Sequence, residues 1–204
     1  DDYDFTLRGA LRTKTFWLIA VGQALSSLGL GAMSVHLFLH LEQGVGLTRP
    51  AAALIVSVTG IANVPSRLLG GFLGDRLPKN FIVGGTMVLI GIASFILAIA
   101  TSMPMTMVYA VLFGIGLGAR TPVLMALQGE YFGRKYQGII RGWLYALSAP
   151  FVIAAPVVAG YIADIQDGYR LVFIVIALVG LAGAGLLFLA IPPKPLVGKE
   201  ATFQ

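Results

Sequence analysis

Six long apolar runs divide the chain, separated by short polar segments that carry most of its charge. The runs cover residues 15–41, 48–73, 81–101, 106–128, 138–163 and 171–191. Each reaches at least the ~20 residues with which a helix crosses ~30 Å of hydrocarbon. They are too long and too continuous for barrel strands, and a helix satisfies its own backbone in lipid. The pattern therefore predicts an all-α integral membrane protein, a bundle of six transmembrane helices. Trp17 stands where interfacial aromatics stand, Arg49-Pro50 opens the second run, and Pro192-Pro193 stops the sixth. Small residues Gly22, Ser26 and Gly29 form a close-packing stripe on the first helix. Pro150 and Pro156 predict a kink in the fifth. Residues 1–14 read either as a short amphipathic surface helix or as a solvated linker, and residues 192–204 as a basic tail.

Composition supports the same class. Hydrophobic residues make up 57% and charged residues 11% of the 204, with a mean hydropathy of +0.88. A soluble domain carries about 25% charged residues. Without cysteine, disulfides and thiolate metal sites are excluded. The net charge of +5 does not indicate nucleic acid, because the basic residues sit in short loops and build no continuous patch. The chain opens Asp1-Asp2-Tyr3-Asp4, without Met or a signal-peptide pattern, and is read as a segment of a longer chain.

Charge also sets an expected orientation. Ten basic residues fall on the side that holds both termini: Arg8, Arg12, Lys14, Arg76, Lys79, Arg134, Lys135, Arg141, Lys194 and Lys199. Only Arg49 and Arg170 fall on the other side. The termini are therefore expected to be cytoplasmic, in a multi-pass protein of the plasma or bacterial inner membrane. A repeat is visible as well: Gly71-Phe72-Leu73-Gly74-Asp75 returns 89 residues later as Gly160-Tyr161-Ile162-Ala163-Asp164. Each copy ends the second helix of a three-helix unit. Three is odd, so the units are inverted relative to each other, as in secondary transporters, whose solute site lies between repeats near the midplane.

The two remaining cations, Arg67 and Arg120, lie inside apolar runs. A charge at such depth is costly and should face a bundle interior or a wet cavity. Guanidinium matches a carboxylate in bidentate fashion, so Arg67 is a candidate anion clamp and Arg120 a second contact. The structural alternatives are an ion pair with Asp75 or Glu130, or snorkelling, for Arg67. For Arg120 the alternative is a hydrogen bond to a carbonyl freed near Pro122. His36 and His40, one turn apart, read as interfacial histidines or as a proton-linked pair; no carboxylate or cysteine completes a metal set with them. Asp75, Arg76 and Lys79 form one loop, a solvated orientation signal or a cytoplasmic gate latch that Glu130 and Arg134 join.

These residues carry a resemblance. Gly71-x-x-x-Asp75-Arg76-x-x-Lys79 resembles the loop signature of the major facilitator superfamily, departing at Pro78, where that family favours Gly, and at Asn80, where it favours a base. The six spans resemble the C-terminal half of such a transporter, with residues 1–14 as the end of its central loop. Asn63-Val64-Pro65-Ser66-Arg67 resembles the monocarboxylate and oxalate–formate antiporter branch, in which this Arg meets a substrate carboxylate. Proton-coupled monocarboxylate carriers often place Asp where Asn63 stands. Phe132-Gly133-Arg134-Lys135-Tyr136 and Gly142-Trp143-Leu144-Tyr145 resemble the oxalate–formate type, whose substrate-binding Lys is replaced here by Ser148.

The resemblance implies a secondary transporter that works by alternating access on a small organic anion, a carboxylate. Arg67, Arg120, Asn63, Tyr145 and Ser148 would line its site. The implied partners are the solute, a coupling proton or counter-anion, the bilayer, and a missing N-terminal six-helix half or a second copy. No cofactor or metal is expected. The competing readings are a drug or sugar carrier in which Arg67 is structural, and a non-transporting six-span scaffold. A membrane enzyme is disfavoured, since the chain has no nucleophile motif, metal-ligand set or phosphate loop.

Overall fold

The computed structural model describes residues 4–193. The basic tail from residue 194 onward, including Lys194 and Lys199, lies outside them. The described chain is helical: α1 (Leu7–Leu11), α2 (Lys14–Leu39, continuing through a π turn, His40–Gly44), α3 (Arg49–Gly74), α4 (Lys79–Ile99), α5 (Met103–Phe132), α6 (Gln137–Ile165) and α7 (Arg170–Phe188). Helices α2 to α7 are each long and apolar enough to cross a membrane, as the six runs predict.

The ends follow from local chemistry. The Thr13 hydroxyl accepts from Phe16 N and opens α2. Prolines sit in the first turns of α3 and α5, where a missing N–H costs nothing. α5 runs four residues beyond the predicted end and stops at Gly133, whose φ of 82° suits a residue without Cβ. α2 overruns its predicted end through the π turn. There a Cβ on Gly44 would lie 2.5 Å from His40 Nδ1, so the wider turn lets the imidazole rest directly on a glycine. Pro150 and Pro156 are absorbed inside a continuous α6. Pro156 removes the N–H that would bond Val152 O, and that carbonyl faces α2, where a Cβ on Gly31 would lie 2.5 Å from it.

The packing is pseudo-symmetric, as two inverted three-helix repeats require. α3 packs on α5 as α6 packs on α2; α4 packs on α5 as α7 packs on α2; α4 and α7 pack on each other. Asn63 and Val152, separated by the 89-residue repeat spacing, each turn a carbonyl toward a glycine of the neighbouring helix, Gly118 and Gly31. Lipid supplies no hydrophobic drive between helices, so close backbone approach at small residues holds such a bundle. Gly22 and Gly29 perform this role for α2 against Gly183, Leu187 and Ile176 of α7.

α3 and α6 each lean mainly on one neighbour. The share of the apolar window that is buried is 17% in α3 and 22% in α6, against 50% in α4 and 56% in α5. Ile61, Val64, Leu68, Val157 and Tyr161 are consequently exposed along them.

At the basic end the segment before α2 is packed. Phe5 is buried, its N–H donates to Phe132 O (2.9 Å), and Asp4 Oδ1 accepts from Lys135 N (3.0 Å). The Arg76 guanidinium lies 4.0 Å from the Phe72 ring centroid. Lys79, at the start of α4, pairs with Glu130 of α5. Arg134 is exposed. The Lys79–Glu130 pair is accessible, with 53% of the Glu130 side chain exposed. A double-mutant cycle on Lys79→Ala and Glu130→Ala is expected to give a coupling of about 0.2–1 kcal/mol that shrinks in high salt. A coupling of several kcal/mol would show a buried lock instead.

Candidate functional site

The central part of the α3–α5 seam brings the two intramembrane arginines to one level. Carbonyls and glycines interlock there: Asn63 O faces Gly118, and a Cβ on Gly70 would lie 2.5 Å from Ala119 O. Arg67 stands between Asn63 and Gly70 on α3, and Arg120 directly follows Ala119 on α5.

Their surroundings differ. Arg67 projects from the exposed part of α3 rather than into these six helices, and its Nε donates to Asn63 Oδ1 (3.0 Å), one turn earlier. Neither suggested carboxylate pairs with it; Glu130 is engaged with Lys79. Arg120 is only 6% exposed, and its Nε is fully buried with no hydrogen-bond partner. The proposed bond to a freed carbonyl is absent among the described residues. Tyr145 is half exposed on α6. The spans hold acidic side chains only near their ends, at Glu42, Glu130 and Asp164, so no described carboxylate sits at the level of Arg120. A buried cation with unused donors and no counter-ion has the chemistry to accept an anion.

Other candidates are placed differently. Ser148 is buried and its hydroxyl donates to Leu144 O (2.9 Å) of its own helix, so it offers no free donor. His36 and His40 are buried at the opposite end rather than interfacial. A carbonyl only accepts, so His36 Nε2–H donates to Pro156 O (2.9 Å) and the Tyr169 hydroxyl donates to Nδ1 (3.1 Å). His40 Nε2–H donates to Leu97 O (3.1 Å), leaving its buried Nδ1 without a partner. The two rings thus join α2 to α4, α6 and α7 and do not share a ligand. Among the described residues no group of three or more His, Asp and Glu could hold a metal.

Two features went unnoticed in the sequence. Gln128 Nε2 donates to Gln23 Oε1 (3.2 Å), both side chains being buried, and this bond bridges the first helix of each repeat. Arg141 reaches Met125 O (3.4 Å) with its Nε buried and unpartnered. Polar residues within apolar runs were the signal for the glutamines.

Six spans, two inverted three-helix units and a buried cation on α5 define a multi-pass membrane protein of transporter architecture. A family model described as Major Facilitator Superfamily matches residues 19–204, and the chain belongs to that superfamily. It is 31% identical over 159 residues to monocarboxylate transporter 13 of Rattus norvegicus, covering 75% of this chain and 36% of the relative. It is 29% identical over 160 residues to the 3-(3-hydroxy-phenyl)propionate transporter of Escherichia coli K12, covering 78% and 39%. A niacin transporter of Acinetobacter baylyi is 24% identical over 176 residues, covering 81% and 39%. The chain spans less than half the length of these relatives.

Proposed function

We propose that the chain is one six-helix half of a secondary active transporter for a small organic anion, a carboxylate, working by alternating access. The observation that carries this reading is Arg120, a buried guanidinium with unused donors and no counter-ion at its level. Two relatives are named for monocarboxylates and for a phenylpropionate, solutes that carry a carboxylate. Arg120 would hold the carboxylate, with Tyr145 beside it, and Arg67, steadied by Asn63, would complete the clamp from α3. Ser148 would shape the wall through its backbone-bound hydroxyl rather than bind solute. The exposed faces of α3 and α6 would meet a second six-helix half, or a second copy, and enclose the path. The basic end would be cytoplasmic, with Asp75, Arg76, Lys79, Glu130 and Arg134 as a gate loop. His36 and His40, at the other end, would serve as a lock between helices that a coupling proton opens.

The test is uptake of labelled 3-(3-hydroxyphenyl)propionate by the full transporter in proteoliposomes. Arg67→Gln is expected to lower uptake at least ten-fold with membrane abundance unchanged, and Arg67→Lys to recover only part of it. Unchanged uptake in Arg67→Gln would remove Arg67 from the site.

A further inference from the structure

Close helix contacts sort the bundle into two groups. In the first, Thr59 O and Asn63 O of α3 press on Gly114 and Gly118 of α5, and Thr86 O of α4 presses on Gly116. In the second, Val152 O of α6 presses on Gly31 of α2, and Gly183 O of α7 on Gly22. α4 and α7 join the groups, with Ala177 O 3.3 Å from a Cβ built on Gly91. In all these seams backbone rests on glycine, and no rotamer change loosens such a contact.

α2 and α5, the first helices of the two repeats, meet differently. Their backbones stay apart, and side chains tie them. Toward the basic end Gln128 Nε2 donates to Gln23 Oε1 (3.2 Å); toward the other end the Tyr109 hydroxyl donates to Met33 Sδ (3.8 Å). All four side chains are buried. Along α2, Ser26 and Gly29 lie between the two ties, and along α5, Phe113 and Arg120 do. Ser26, Gly29 and Phe113, with Met87 of α4 and Gly180 of α7, wall a void of about 10 Å³, room for one water. Neither tie is strong. A thioether is a weak acceptor, and a neutral amide pair between spans holds only modestly. Water can replace both once the helices separate.

We infer that the bundle parts along the α2–α5 line during transport, α3–α4–α5 moving against α6–α2–α7 about the α4–α7 contact, and that the Gln23–Gln128 bond is the latch at the basic end. The inference rests on the transport reading above and adds a moving part inside this half. Parting here breaks side-chain bonds and widens an existing void, while every glycine seam stays closed. Gln128 follows Arg120 by eight residues on α5, about two turns, so its release loosens the basic-end approach to the helix that carries the buried cation. The line also separates the equivalent helices of two inverted repeats, where relative motion gives alternating access.

The chain has no cysteine, so introduced thiols report cleanly. In the full transporter, otherwise free of cysteine, Gln23→Cys/Gln128→Cys is bridged with a short bis-methanethiosulfonate. Bridging should lower the uptake rate of 3-(3-hydroxyphenyl)propionate about ten-fold or more, leave its Kd unchanged, and be reversed by reductant. Gly74→Cys/Val123→Cys is the control within one group: a Cβ on Gly74 lies 4.0 Å from Val123 Cβ, inside disulfide reach, and oxidation should spare uptake. Full uptake by the bridged Gln23→Cys/Gln128→Cys protein would overturn the latch. A second measurement needs neither that variant nor any solute. Met87→Cys, at the void, should react with N-ethylmaleimide about five-fold faster once Gln128→Leu is added, whereas Ser94→Cys, buried elsewhere on α4, should not change. An unchanged rate at Met87→Cys, or equal acceleration at both positions, would refute the parting seam. Absence of uptake before bridging would count against the carboxylate reading alone, and the labelling comparison would still decide the seam.

Discussion

Arg120→Gln is expected to weaken carboxylate binding by more than a hundred-fold while leaving the ligand-free protein as stable as before, or more so. The two effects come from one fact. The guanidinium is buried and its Nε unpartnered, so in the empty protein it represents desolvation without return. Insertion scales put the cost of a mid-helix Arg at about 2.5–3.5 kcal/mol, and Gln removes the part of it that comes from the charge. With a carboxylate present the sign reverses. A buried, hydrogen-bonded charge pair loses ~3 kcal/mol or more when one partner is truncated, which is over two orders of magnitude in Kd. Thermal unfolding with and without 3-(3-hydroxyphenyl)propionate reads both quantities. A structural arginine would behave oppositely: Arg120→Gln would lower the melting temperature of the empty protein, and the ligand-induced shift would survive.

Gly118→Ala is the second large effect, and it acts on the scaffold two residues from Arg120. A Cβ there would collide with the Asn63 carbonyl oxygen and meet Ser66 Cβ at 2.9 Å. The first obstacle is backbone, so no rotamer change relieves it and α3 must move off α5. Overpacking of this kind costs about 1–3 kcal/mol, and the upper end is expected here. Gly85→Ala is the control. Gly85 lies within α4 with nothing within 4 Å of its would-be Cβ, so alanine should stabilise by roughly 0.5–1 kcal/mol through helix propensity alone. If Gly118→Ala matched Gly85→Ala in unfolding experiments, the tight α3–α5 seam would be wrong.

Much of this architecture is written in one dimension. Spans are legible because the bilayer imposes a length and an apolar composition on each helix separately, before any packing. Inversion follows from an odd number of helices and the Asp75 and Asp164 copies, and the pseudo-symmetric packing agrees with it. Arg67 and Arg120 stand out because intramembrane charge is rare. What the sequence left open depends on which face meets which neighbour. Arg67 and Arg120 look alike in their runs, yet one projects outward and the other is enclosed. Ser148 looks like a cavity donor, yet its rotamer returns the hydroxyl to Leu144 O. The histidines look interfacial because they lie near a helix end, whereas Tyr169, Pro156 and Leu97 arrive from other helices to cover them. The π turn depends on the contact of one imidazole with one glycine, which no periodicity encodes.

The central claim is that the buried cation is there for a solute carboxylate. Uptake of 3-(3-hydroxyphenyl)propionate and of its neutral amide, measured side by side in proteoliposomes of the full transporter, tests it most directly. The account predicts saturable uptake of the acid and none of the amide. Equal uptake of acid and amide, or uptake of the amide alone, would contradict it.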